Sequence, residues 1–240
     1  MPLPKITTPT YELVLPSTGK KIKYRPFLVK EEKVLILALE SNDVTQITNA
    51  IKTTLKDCIT TRGIKVDELP TFDIEYIFLN VRGKSVGEAI DLVVTCPDDD
   101  ETTVPVKVYI DEIEIQKDKK HKQEIDLDGN LTLKMKYPSL SEFIKNNFDF
   151  SGDDSSVEQS FEIVASCIDM VYDKDDVWAA SDCTKKELIA WVETLNTNQF
   201  KMIEEFFATM PKLSHTMKIK NPKTKVESEV TLEGLASFFG

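Results

Sequence analysis

The 240-residue chain predicts an α+β fold of repeated β-hairpins, each followed by a helix or helical turn, with a helical bundle in the C-terminal half. Three observations predict it. Apolar residues alternate on both sides of a polar turn at four separate places, which is strand patterning. Between those places they recur at intervals of three and four, which is helix patterning. Hydrophobic residues make up 41% of the chain, enough to bury a real core.

The first hairpin is predicted from Leu13 and Leu15, a Ser17-Thr18-Gly19 turn, and Ile22 and Tyr24 on the return. Pro26 closes it, and residues 30–40 read as a helix. Val44, Ile47, Ile51, Leu55 and Cys58 predict the next helix by their 3-4-4-3 spacing. A third is predicted over 72–82 and stops at Gly83, because glycine takes the left-handed conformation of a helix end without strain. In the second hairpin Ile90, Leu92, Val94 and Cys96 form one face, and Val104, Val106, Val108 and Ile110 form the returning one. The stretch VTCPDDDETTVPV at 94–106 therefore forms its tip.

Asp128-Gly129 marks the third hairpin, since its glycine accepts the positive φ of a tight turn. Ser139 and Glu142 form a capping box for a short helix after it. Val157, Phe161, Val164, Ile168 and Val171 predict one longer helix. Thr184 with Glu187 caps a helix carrying Leu188, Trp191, Val192 and Leu195, and Asn198 is the expected cap of the next, which carries Phe200, Ile203, Phe206, Phe207 and Met210. The fourth hairpin sets Met217 and Ile219 before an Asn221-Pro222 turn and Val230 and Leu232 after it, followed by a helical turn with Phe238 and Phe239. Polar stretches at 116–124 and 149–158 read as linkers. The second places the main boundary, dividing a hairpin-rich region, 1–150, from a helical region, 151–240, that ends in a hairpin and short helix. The last hairpin can pack onto either half.

The formal charge of -11 argues against nucleic acid, whose phosphates need clustered Lys and Arg, and keeps a free chain soluble and monomeric. No apolar run resembles a signal-peptide core, and no window approaches the ~18 apolar residues of a membrane helix, so a cytosolic protein without a membrane partner is expected. Cys58, Cys96, Cys167 and Cys183 are too widely and irregularly spaced for a disulfide framework or paired CxxC motifs, and Cys58 and Cys167 read as buried free thiols.

Motifs for chemistry are few. PSTGKK at 16–21 lacks the earlier glycine of a phosphate-binding loop and runs into a strand. With 8 glycines in all and no GxGxxG, nothing in the sequence suggests a nucleotide or other cofactor. Asp98 to Glu101 and Asp173 to Asp176 lack the alternating ligands of a calcium loop and read as solvated turns. His121 sits in a lysine-rich loop and reads as a mobile surface residue, and His215 opens a strand. Neither belongs to a catalytic motif. Enzymatic activity and a small-molecule substrate are therefore not expected. Phe206, Phe207 and Met210, with Phe238 and Phe239, are the candidate partner-binding residues, because adjacent rings spread wider than one core stripe; burial of both rings is the commoner outcome.

KYRPFLVKEEKVLILALE near the start, AIDLVVTCPDDDETTVPVKV in the middle and FFATMPKLSHTMKIKNPKTKVESEVTLEGLASFF at the end resemble the baseplate hub proteins of T4-like tailed bacteriophages, which include a hub subunit and a hub assembly catalyst. The resemblance spans most of the chain. It implies that some relatives carry CPxC knuckles at the middle and C-terminal hairpins, together making a four-thiolate zinc site. Cys96, Asp99, Asn221 and Thr224 stand at those positions here, so one thiolate remains of four. No metal is expected, since a structural zinc stabilises a fold only with its ligand set complete, while the two hairpins are still expected side by side.

The function implied is that of a non-enzymatic baseplate hub assembly protein, chaperone-like factor or hub subunit, which binds other phage baseplate hub proteins in the host cytoplasm during assembly. The alternative is a virion-tip hydrolase or metal-dependent enzyme using surface carboxylates, which needs two carboxylates converging in a cleft, one with a raised pKa.

Overall fold

The computed structural model describes residues 6–41, 43–139 and 157–238. The fold is mixed α/β: among the described residues, six α-helices and several small antiparallel sheets form two compact units. The first comprises residues 1–116 and 212–240, and the second residues 117–211. This division replaces the expected boundary at residue 150. Strand pairing is the reason: the C-terminal hairpin aligns beside residues 114–116, which makes it part of the first unit.

In the first unit, β1 (Tyr11–Val14) pairs with β2 (Lys21–Tyr24), setting Leu13 against Ile22. The turn closes where Gly19, at φ 69, donates its N–H to the Leu15 carbonyl. Three helices follow: α1 (Val29–Glu40), α2 (Val44–Cys58) and α3 (Thr71–Val86). Asp43 caps α2, accepting from the Thr45 and Gln46 N–H groups. The third helix passes the expected stop at Gly83 and ends at Gly87, whose φ is 129. Gly83 serves a close approach instead: a Cβ there would lie 2.9 Å from Ile110 Cδ1.

Next, β3 (Ala89–Thr95) pairs with β4 (Thr103–Tyr109) as the second hairpin, and a 3-10 turn at Ile110–Glu112 leads to β5 (Glu114–Gln116). Ile90, Leu92, Val108 and Ile110 bury their side chains with Leu79, Leu213 and Phe238. The last two arrive from the chain's end.

The second unit places β6 (Glu124–Asp126), β7 (Thr132–Met135), β8 (Ile168–Tyr172) and β9 (Val177–Ala179) in one antiparallel sheet, in that order. Packed with it are α4 (Val157–Ser166), α5 (Lys185–Glu193) and α6 (Thr197–Ala208). Helices against a sheet thus stand where a bundle of helices alone was expected. The long helix expected through Val171 stops at Ser166, and Ile168 and Val171 belong to β8, since β7 offers that segment a ladder of backbone hydrogen bonds. Asn196, not Asn198, caps α6 in a capping box with Gln199. The capping box expected at Ser139 and Glu142 and the linker expected at 149–158 fall largely outside the described residues.

Returning to the first unit, β10 (Lys212–Lys220) pairs with β5 on one side and with β11 (Glu227–Glu233) on the other, and Leu235–Phe238 forms a 3-10 turn. No described helix is long and apolar enough to cross a membrane.

Candidate functional site

The tips of the second and fourth hairpins have the same local form. Cys96-Pro97-Asp98-Asp99-Asp100 and Asn221-Pro222-Lys223-Thr224-Lys225 each fold so that the fifth residue donates its N–H to the carbonyl of the first, at 2.9 and 3.0 Å. The fifth residue is left-handed in both, Asp100 at φ 52 and Lys225 at φ 65. Each first residue also donates its own N–H across the hairpin, Cys96 to Thr102 and Asn221 to Val226. Cys96 and Asn221 therefore occupy matching positions, as do Asp99 and Thr224.

Side chains join the two tips. The buried Asn221 donates from Nδ2 to Oδ1 and Oδ2 of Asp98 at 3.1 and 3.0 Å, and Thr224 donates its hydroxyl to Asp98 Oδ2. Asn221 Oδ1 accepts from the Lys223 and Thr224 N–H groups, fixing its own turn while its amide reaches across. Beneath the tips Cys96, Val94 and Ile219 form one buried cluster. The hydroxyl of Thr224 and the amide of Asn221 hold the Asp98 carboxyl below its ordinary pKa. Asp99 turns inward on its own loop: the Thr102 hydroxyl and N–H, at 2.6 and 2.9 Å, hold its pKa low.

These residues do not fit a zinc site. The Cys96 thiol is buried among apolar side chains, and burial raises its pKa, favouring the neutral thiol over the thiolate a metal needs. Asp99 is engaged with Thr102, Asn221 presents a donor rather than a ligand, and Thr224 gives its proton to Asp98. Among the described residues no three His, Cys, Asp or Glu side chains are grouped to hold a metal. What the arrangement provides is a polar clasp between two hairpins, with a carboxylate at its centre.

Sequence reasoning singled out Asp99 and passed over Asp98, the residue that bridges. Aligning the five-residue turns and noting their opposite charges, three acids in one and two lysines in the other, was the available signal.

The aromatic candidates lie elsewhere. Phe206 and Phe207 are buried in the core of the second unit, ring centroids 5.2 Å apart and edge to face, and Met210 packs partly buried beside them. Phe238 is wholly buried in the first unit, and Phe239 lies outside the described residues. The described aromatics are therefore core residues and not an open docking face, because the helix resolves its two adjacent rings by burying both. His121 corrects a further expectation. It is no mobile surface residue: its ring stacks on Tyr137, lies 5.1 Å from Phe206, and hydrogen-bonds Thr209 and Tyr137 at 3.0 Å each.

A family model described as T4 bacteriophage base plate protein matches residues 8–240. No curated protein and no solved structure matches the chain.

Proposed function

The chain belongs to the T4 bacteriophage base plate protein family, and from that premise we propose that it is a non-enzymatic assembly protein of the phage tail baseplate hub. It binds other hub proteins as they assemble in the host cytoplasm, either as a chaperone-like factor or as a hub subunit. The family match over residues 8–240 carries this reading, since it takes in both units and both joined hairpin tips. The electrostatics favour it over a virion-tip hydrolase. Glu31, Asp43, Asp98 and Glu187 are each held below their ordinary pKa. A general acid needs the opposite displacement.

The test is affinity purification of the tagged chain from infected cells during assembly, with quantitative mass spectrometry of the lysate and of purified virions. Co-purification with hub proteins is expected, and recovery without any baseplate protein would overturn the proposal. A fixed ratio to hub proteins in virions identifies a subunit, whereas abundance in lysate and absence from virions identifies an assembly factor.

A further inference from the structure

Strand β9 ends the four-stranded sheet, and its residues differ from those of the other strands that end a sheet. Among the described strands, β1 to β6 and β11 each carry at least one charged side chain, a common guard of a free edge. By contrast β9 reads Val177-Trp178-Ala179, with Val177 66% and Trp178 48% exposed.

The pairing with β8 fixes which backbone groups face outward. The Asp173 N–H donates to the Asp176 carbonyl at 3.0 Å, which makes that pair a hydrogen-bonded one, and such pairs alternate along an antiparallel ladder. Val171 and Trp178 are the next hydrogen-bonded pair, so Val177 and Ala179, opposite Tyr172 and Met170, turn their N–H and C=O groups away from β8. The Ala179 carbonyl receives the Cys183 thiol at 3.7 Å. Val177 therefore presents both its groups, and Ala179 its N–H, at the spacing of an added strand.

Side chains specify what that strand carries. Its residue opposite Trp178 stands in a non-hydrogen-bonded pair, where side chains approach most closely, and so lies against the indole. Aspartates flank β9 at both ends: Asp173, Asp175 and Asp176 in the turn before it, and Asp182 in the 3-10 turn Ala180–Asp182 after it. Among the described residues none of the four takes part in an ion pair, whereas the nearby Lys134 and Lys185 are engaged with Asp169 and Glu162. Arginine answers both features, since its guanidinium stacks on an aromatic ring and pairs with carboxylates.

We propose that the free edge of β9 is a docking site for an extended segment of another protein, which adds to the sheet as a further strand and sets an arginine against Trp178 between the acidic turns. Only the expectation that this segment comes from a baseplate protein rests on the function proposed above. Three residues of edge make a small contact, so binding is weak, and the net charge of -11 adds an attraction that salt screens.

The test is a titration of the isotope-labelled full chain with the capped peptide Lys-Thr-Val-Arg-Val-Thr-Lys, whose order reads the same from either end. Saturable shifts of the Val177 to Ala179 amides and the Trp178 indole are expected below about 2 mM, and they weaken as salt is raised. A peptide with glutamate at the three basic positions is expected to bind about tenfold more weakly or worse. Trp178→Ala weakens binding of the basic peptide about tenfold or more, and Asp175→Asn with Asp176→Asn weakens it roughly two- to tenfold. Val177→Pro deletes an outward N–H, leaves the bonds of Trp178 to β8 in place, and is expected to abolish binding. Far-UV circular dichroism checks each variant's fold, and methylating the peptide's two valine nitrogens removes strand bonds without touching the protein. The absence of shifts at β9, equal binding of the glutamate peptide, or binding indifferent to Trp178→Ala or to valine methylation each overturns the proposal. The baseplate reading stands on the family match and its own co-purification test, and is unaffected by any of these outcomes.

Discussion

Asn221 ties two hairpins together from a fully buried position, accepting from its own turn and donating to Asp98. Asn221→Ala strands the Lys223 and Thr224 N–H groups and one side of the carboxylate, so a loss of about 1–3 kcal/mol in urea unfolding is expected. Asn221→Asp sets a second carboxylate against Asp98, and its deficit shrinks as pH falls and the pair is neutralised. Acid acts on the parent clasp too. Asp98 is more acidic folded than unfolded, so its contribution is complete above the ordinary carboxylate pKa and is lost as pH drops through the lower folded value. Glu31 behaves likewise. Burial works to raise its pKa but is outweighed by Arg25, the Leu28 N–H and Lys30, which bring it down to about 2, so its contribution fades between about pH 4.5 and 2. Glu31→Gln is expected to cost about 1–3 kcal/mol, between the values for exposed and buried pairs. At His121 the Thr209 hydroxyl donates to the Glu205 carbonyl, so it accepts from Nδ1–H and leaves Nε2 to accept from Tyr137. Burial lowers the His121 pKa, so stability is full above the ordinary histidine value and falls as pH drops below it. His121→Phe is expected to flatten the dependence of Tm on pH between about 7 and 5.

At the scale of elements, Gly83 and Ile110 form a packed contact between α3 and the turn that follows the second hairpin. Gly83→Ala gains helix propensity of up to about 1 kcal/mol and meets Ile110 Cδ1 at 2.9 Å within a buried cluster. A net loss is expected in the parent and little or none in an Ile110→Val background, which removes the opposing methyl. The double-mutant cycle measures that coupling by urea unfolding. The segment 157–171 shows how elements compete. Its apolar spacing suits a helix throughout, yet the chain turns at Ser166, where the Ser166 hydroxyl donates to the Ile163 carbonyl, and Ile168 starts a strand against β7. Periodicity describes one element's burial; a neighbouring strand able to complete a backbone ladder is a non-local partner, and it prevails.

For the whole molecule, residues 117–211 are inserted into the first unit between adjacent strands. Gln116 and Lys212 are direct cross-strand partners of β5 and β10, so the insertion leaves and returns at neighbouring points. Replacing residues 117–211 with an Asn-Gly turn is expected to give a folded first unit, because two residues suffice to join antiparallel partners. The excised segment, which has its own core around Leu133, Ile168, Ile203 and Phe206, is expected to fold alone. Cooperative thermal unfolding and dispersed amide resonances from each piece check this, and a molten piece refutes its independence.

Local patterns in the amino-acid sequence suffice for the four hairpins, the Thr184–Glu187 capping box, the buried Cys58 and Cys167 and the likeness to baseplate proteins, because strand alternation, turn residues and caps act within a few neighbours. The two matching turns that make the clasp are equally local. Long-range packing settles the rest: that the last hairpin joins the first unit, that Asp98 rather than Asp99 bridges the tips, and that Phe206 and Phe207 face inward. Each of these depends on which distant strand or side chain supplies the partner, and a burial pattern names a face without naming what lies against it.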